Sequence, residues 1–209
     1  MYLENTPYDI RVLDADEEDA LLDQLRDSNA PSKFRNYLII KLILETGITN
    51  CEVIELTWDQ IDFEEGSIFL DHDKDYKRRV LLMGWGLVDE LYEWNLEQKR
   101  CIGNSEWVFS KLDGDPISAR YLRNMIYTYA ENAHLNYDGR INPSVLRHTF
   151  AVKLLSEENV SYQDVIKALG LSGRNLSTAQ YRKVVKHREV LRMYEEGEID
   201  EFELDEMFY

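Results

Sequence analysis

Positive charge is scarce in this chain of 209 residues: 24 lysines and arginines stand against 40 aspartates and glutamates, a net charge of −16. Such a surface repels polyanions at long range, which excludes phosphate binding by the surface as a whole. A nucleic-acid binder of this composition must gather its cations on one face. Cysteine is nearly absent, and Cys51 and Cys101 lie far apart with no C-x-x-C. Neither a zinc site nor a disulfide framework is indicated, and no metal or cofactor is expected. Long apolar runs are missing too: Tyr37 to Leu44 is interrupted by Lys41 and falls far short of the roughly 20 residues a bilayer requires. The first residues carry no signal-peptide pattern, so the expectation is a cytoplasmic protein without a membrane partner. No Gly/Pro/Ser linker is long enough to divide the chain into two domains.

What remains, 44% apolar residues, suffices for one substantial core. Residues 1–13 read as an extended lead-in. Acidic residues from Asp14 to Glu18 open a helix carrying Leu21, Leu22 and Leu25. Pro31-Ser32 opens a second helix, which Gly47 ends, and Cys51 to Leu56 makes a short third. Ser67 to Leu70 and Arg79 to Leu82 read as a hairpin around a charged loop, Asp71 to Arg78. Helices are expected over Leu87–Gln98, Ser118–His134, Ser144–Glu158, Ser161–Leu169 and Thr178 to about Arg192, with a short strand over Trp107–Ser110. The fold class is therefore mainly α with a small antiparallel β-sheet (α+β).

The most informative stretch is Pro143 to Leu155. Val145, Leu146, Phe150, Ala151, Leu154 and Leu155 recur at helical spacing, and Arg147 and His148 sit near its start. By themselves these two are equally a surface pair on a core helix. The segment L-R-H-T-F-A resembles the second arginine box of the tyrosine recombinases, the phage integrase family, and other boxes of that family surround it in order. The resemblance covers roughly residues 10–190 and implies that family's catalytic-domain fold over 1–194, with 195–209 as an acidic tail or docking segment. It also implies that the separate core-binding domain, which closes a clamp around DNA, is missing.

In that family a tyrosine attacks a DNA phosphodiester and forms a 3′-phosphotyrosine, a reaction that needs a nucleophile, cations on the non-bridging oxygens and an acid for the leaving group. The first box is similar to T-G-I-T-N-C-E-V-I-E-L, Thr46 to Leu56, with Thr49 where the first catalytic arginine belongs. Loss of such an arginine costs about 10³–10⁵ in rate, judged from arginine fingers. The hairpin segment K-D-Y-K-R-R-V-L-L-M-G resembles the box that places Lys74 as general acid; a solvated cationic loop is the alternative. In the second box Ser144 replaces a histidine while Arg147 and His148 remain, and Leu171 stands where another phosphate-binding histidine belongs. Tyr181 is the one candidate nucleophile; it arrives one residue early, a turn of about 100° on a helix, and a core tyrosine is the competing reading.

Resemblance thus assigns Tyr181, Arg147, Lys74 and His148 to catalysis, with positions lost at Thr49, Ser144 and Leu171. Lys74, Lys77, Arg78, Arg79, Arg147, Arg174 and Arg182 are assigned to double-stranded DNA, within a wider basic set that includes Arg120, Arg123 and Arg140. Eight of the twelve residues from 195 to 206 are acidic, interleaved with Ile199, Phe202 and Leu204. This end reads as a solvating tail, as a shield over the basic face, or as a helix for self-association or for docking to another recombinase-like protein. Three functions follow. The favoured one is a DNA-binding regulatory or accessory factor that has lost strand transfer, similar to phage regulators that look like inactivated recombinases. The others are a protein-binding partner of a full-length recombinase or repressor, and an active recombinase using Tyr181.

Overall fold

Asp14 and Glu17 cap each other's backbone, Glu17 N to Asp14 Oδ1 at 2.9 Å and Asp14 N to Glu17 Oε2 at 3.0 Å. This reciprocal pair satisfies two otherwise orphaned donors and starts α1 (Ala15–Arg26). The computed structural model describes residues 10–26, 31–71, 78–136, 139–171, 177–199 and 203. Leu21, Leu22 and Leu25 turn the apolar face of α1 onto α2 (Pro31–Thr46). Leu38, Ile39, Ile40, Leu42 and Ile43 are all 0% exposed, so α2 is apolar over a wide arc, with Lys41 and Glu45 on the remaining side. A helix with that pattern belongs at the centre. It is enclosed by α1, by α4 (Trp85–Cys101) and by α6 (Pro143–Ser156). It ends at Gly47, whose φ of +63° is left-handed and whose missing side chain makes room for the Phe150 ring.

After α3 (Asn50–Glu55) the chain enters a three-stranded antiparallel sheet, β1 (Ile61–Asp62), β2 (Ser67–Leu70) and β3 (Arg79–Leu82), in that spatial order. The hairpin strands fall where the sequence places them, with Ile68 opposite Leu81 and Leu70 opposite Arg79. Ile68, Leu70 and Leu81 point to the core while Phe69, Val80 and Leu82 face solvent, the period-two alternation of a one-sided sheet. β1 is an addition to the expected hairpin.

One expected strand is not a strand. Trp107–Ser110 makes only isolated bridges, Thr57 with Trp107 and Ser110 with Pro116. Val108 N donates to Leu56 and Phe109 accepts from Ile117 N, and α4 meets several of the other polar groups. Gln98, 1% exposed, donates to the carbonyls of Trp107 and Val108 and to Ser110 Oγ, each at 3.0 Å, while Trp94 Nε1 donates to Val108 at 2.8 Å. Gln98→Ala removes these three bonds and leaves Val108 its bond from Trp94, and a loss of about 2 kcal/mol is expected in a urea titration followed by circular dichroism. An unchanged midpoint would show that water replaces the amide without cost.

α5 (Ala119–Asn132) leads to α6, which Asn142 caps through Ser144 N at 2.8 Å, with Pro143 in the first turn. A second apolar cluster lies beyond α6: Ala151 and Val152, then Val165 and Ile166 of α7 (Tyr162–Ala168), Leu169 and Leu171, and Tyr181 and Val184 of α8 (Ser177–Glu195). Among the described residues no helix is long and apolar enough to cross a membrane, and no cluster of His, Cys, Asp or Glu is arranged to hold a metal. Most of 195–209 lies outside the described residues.

Candidate functional site

The site is organised by two guanidinium groups that reach the end of α7 from different directions. Arg147, on α6, is 9% exposed and donates to the carbonyls of Gly47 and Leu169, the latter at 2.7 Å. Arg79, from β3, donates to the neighbouring carbonyl of Ala168 at 3.0 Å. Gly170 permits this approach: its φ is +66°, and a Cβ there would stand 2.9 Å from Arg79 Nη1. Both arginines therefore fasten the last carbonyls of α7, where cations complement the helix dipole.

Arg79 also grips Glu52 with both nitrogens, Nη1 to Oε1 at 2.7 Å and Nη2 to Oε2 at 2.8 Å, and the two side chains are only 5% and 9% exposed. Glu52 Oε2 in turn accepts Thr49 N at 2.9 Å and Thr49 Oγ1 at 2.8 Å, and Thr49 Oγ1 accepts Glu52 N at 3.2 Å. This is a capping box at the start of α3. Burial pushes the Glu52 carboxyl up, but the Arg79 guanidinium and the Thr49 bonds more than offset it and hold it below the ordinary carboxylate range. Thr49 is thus 7% exposed and occupied with its own helix.

His148 and Tyr181 make the second half of the site. His148 Nδ1 lies 2.8 Å from the Tyr181 hydroxyl, and Tyr181 is 2% exposed inside the second cluster. Burial, then the adjacent Arg147 charge, pushes the imidazole down to about 4, so it is neutral at physiological pH. A neutral ring in the Nε2–H tautomer accepts the phenol proton at Nδ1, which is the relation of a general base to a nucleophile. Leu171, 8% exposed, belongs to the same apolar cluster, whereas Ser144 is exposed at the mouth of a cleft beside the α6 N-terminus.

That cleft, about 360 Å³, is lined by Asn50, Arg123, Asn124, Tyr127, Arg140, Asn142 and Ser144 among others, with no carboxylate among the described residues of its wall. Arg140 rests on the Tyr127 ring at 4.1 Å, a stacking that holds its planar head at the rim. Arg78 lies exposed over Phe69 at 4.6 Å. Lys74, Lys77 and Arg174 lie outside the described residues, as does the side chain of Arg182. The structure therefore brings Arg147, His148 and Tyr181 together, with Thr49 and Arg79 beside them.

Residues 11–188 match the sequence model of the phage integrase family. The chain belongs to that family. This family member is 31% identical over 144 residues to a tyrosine recombinase of Agathobacter rectalis, covering 68% of this chain and 46% of that one. It is 32% identical over 162 residues to the tyrosine recombinase XerA of Thermococcus kodakarensis, covering 75% and 54%. It spans about half the length of these curated relatives. In three dimensions it is similar to XerA recombinase, with a TM-score of 0.72 and 21% identity over 90% of this chain and 65% of that one. XerH recombinase bound to its palindromic difH substrate gives a TM-score of 0.70 and 24% identity, over 81% and 48%. These likenesses establish the fold, mainly helical with a small antiparallel sheet.

Two features of the family member's site were open to sequence reasoning and missed by it. Thr49-Asn50-Cys51-Glu52 is a capping-box pattern, T-x-x-E. Arg79 occupies an inward position of a strand whose next inward residue is Leu81, and a cation so placed requires a buried anion. Arg188 is the third omission; nothing local in the sequence marks it.

Proposed function

We propose that this phage integrase family member binds duplex DNA through the cleft at the α6 N-terminus and acts there as a regulatory or accessory factor, without forming a bond between Tyr181 and DNA. The cationic cleft carries this reading: on a chain of net charge −16, Arg123 and Arg140 face a concavity with no acid among the described residues of its wall. Phosphate is the ligand that planar, permanently charged guanidiniums and amide side chains suit. The XerH neighbour is bound to its difH substrate and a lambda integrase dimer to a core site, which supports the same use of the fold. Loss of strand transfer is supported by Thr49, which offers no charge and is committed to its capping box, and by the burial of Tyr181.

The test is anisotropy of labelled duplex fragments over a range of salt. Wild type should bind with a steep salt dependence. Arg123→Ala with Arg140→Ala should lower the slope of log K against log salt by about 2, one per phosphate contact. No binding at low salt, or an unaltered slope in the variant, would refute the cleft. On a nicked substrate, neither wild type nor Tyr181→Phe should leave a denaturant-resistant adduct.

The His148–Tyr181 bond of 2.8 Å favours one other reading, an active recombinase whose tyrosine is deprotonated by His148. An adduct formed by wild type and lost in Tyr181→Phe would establish it in place of the first.

A further inference from the structure

Tyr181, Val184 and Arg188 lie three and seven residues apart on α8, hence on one face, and that face looks toward α6. Tyr181 and Val184 enter the second apolar cluster. Arg188 does not continue it with an apolar group. Its Nη2 donates to the carbonyl of Leu13 at 2.9 Å, in the segment ahead of α1. The amide of the same residue, Leu13 N, donates to Thr149 Oγ1 of α6 at 2.9 Å. Leu13 is 0% exposed, and Ile10 and Val12 just ahead of it pack against the cluster that holds Tyr181. The segment is itself anchored: Arg11 pairs with Glu17, Asp14 caps α1, and Glu18 binds Lys153 of α6 at 2.8 Å. Burial pulls the Arg188 guanidinium below its ordinary range, and the charges of Asp14, Glu18 and Glu17 offset part of that pull while Arg11 adds to it.

We infer that residues 10–14 are a strap that keeps the tyrosine helix docked on its own body, with Arg188 as the pin, so that Tyr181 becomes accessible only when strap and pin part. The physical reason is leverage along one helix. Two turns, about 10 Å, separate Arg188 from Tyr181, and a helix transmits rotation and translation over that length without bending. Fixing Arg188 on a backbone carbonyl therefore fixes the azimuth of Tyr181 against His148. Arg188 is a positioning residue that acts through α8, and Val12 is its apolar counterpart on the strap. This inference stands apart from whether the protein binds DNA.

Tyrosine nitration by tetranitromethane, mapped by peptide mass spectrometry on the intact chain, measures the exposure of each ring. Tyr92, 55% exposed, reports reagent activity, and Tyr37, 8% exposed in the main core, reports global unfolding. In wild type Tyr92 should react while Tyr181 and Tyr37 stay protected. Arg188→Met keeps the apolar stem and removes the bond to Leu13; Val12→Asp loosens the strap from the other side. Each should raise the Tyr181 nitration rate about tenfold or more, the effect of losing one charged hydrogen bond, with Tyr37 still protected. An unchanged Tyr181 rate in both variants would overturn the inference. So would a rise that merely parallels Tyr37, because Tyr181 would then be released by unfolding of the whole chain and not of the strap.

Discussion

Arg79→Met will lower the unfolding free energy by about 3–5 kcal/mol, the largest single-residue effect expected in this protein outside the packing of its central helix. The methionine roughly matches the removed volume, so the loss is electrostatic. Glu52 is left with its charge in a place where its side chain is 9% exposed. The Thr49 capping bonds remain, but two hydrogen bonds from neutral or hydroxyl donors do not replace a bidentate guanidinium. The damage has a signature. Because the Glu52 pKa is depressed in the folded state, its contribution is fully present above the ordinary carboxylate range and disappears as pH falls through the lower folded value. The gap between wild type and Arg79→Met should thus be widest at neutral pH and close in acid. The double variant Arg79→Met with Glu52→Gln keeps a capping box, since glutamine serves at that position, and removes the stranded charge. It should recover most of the loss. Urea titrations of the four proteins form a double-mutant cycle, and a coupling energy near zero would mean that Arg79 and Glu52 do not stabilise each other.

A second acid effect, of about 3 kcal/mol, comes from His148. In the unfolded chain its imidazole takes a proton near 6.5; in the folded protein burial and Arg147 delay this to about 4. Between those values the unfolded state binds more protons, so stability is complete above 6.5 and declines as pH falls toward 4. Most of this window lies above that of Glu52, so the two effects separate above the ordinary carboxylate range. His148→Asn, which cannot titrate there, should be destabilised at neutral pH by loss of the Tyr181 bond, yet show a flatter profile between pH 6.5 and 4 than wild type. Thermal or urea unfolding across that interval measures the slopes. Parallel profiles would show that His148 takes its proton in the folded state as readily as in the unfolded one. The functional consequence is that the His148–Tyr181 pair holds a neutral imidazole throughout the physiological range, whichever use is made of the tyrosine.

Much of the architecture was legible because it follows from local periodicity. The hairpin strands Ser67–Leu70 and Arg79–Leu82 alternate in and out as their residue types require. The helix opened by Pro31-Ser32 and ended by Gly47 stands as α2, and Pro143 lies in the first turn of α6. Trp107–Ser110 misled because an apolar run looks alike whether its backbone pairs with a strand or with side chains. The deciding residue, Gln98, lies on another element. The site divided in the same way. Arg147, His148 and Tyr181 could be named from motif order, and Thr49 could be seen to lack charge. That Arg79 is held inside by Glu52, and not offered at the surface with Arg78, depends on a partner 27 residues away in the chain.

By itself, then, the sequence determined the fold class, the order of the elements and the family. Each of these is encoded in short-range spacing: turns, caps, alternation and motif order act within a few residues. Tertiary structure alone decided which cations are buried and which face a cleft, that the Tyr181 hydroxyl meets His148, and that Leu13 joins α6 to α8 through its two backbone groups. Those facts are set by which helix faces come together, and burial and pairing are properties of that approach. A guanidinium reads the same in the sequence whether it meets water, a carboxylate or a carbonyl. Its chemistry is settled only when the chain brings one of them within reach.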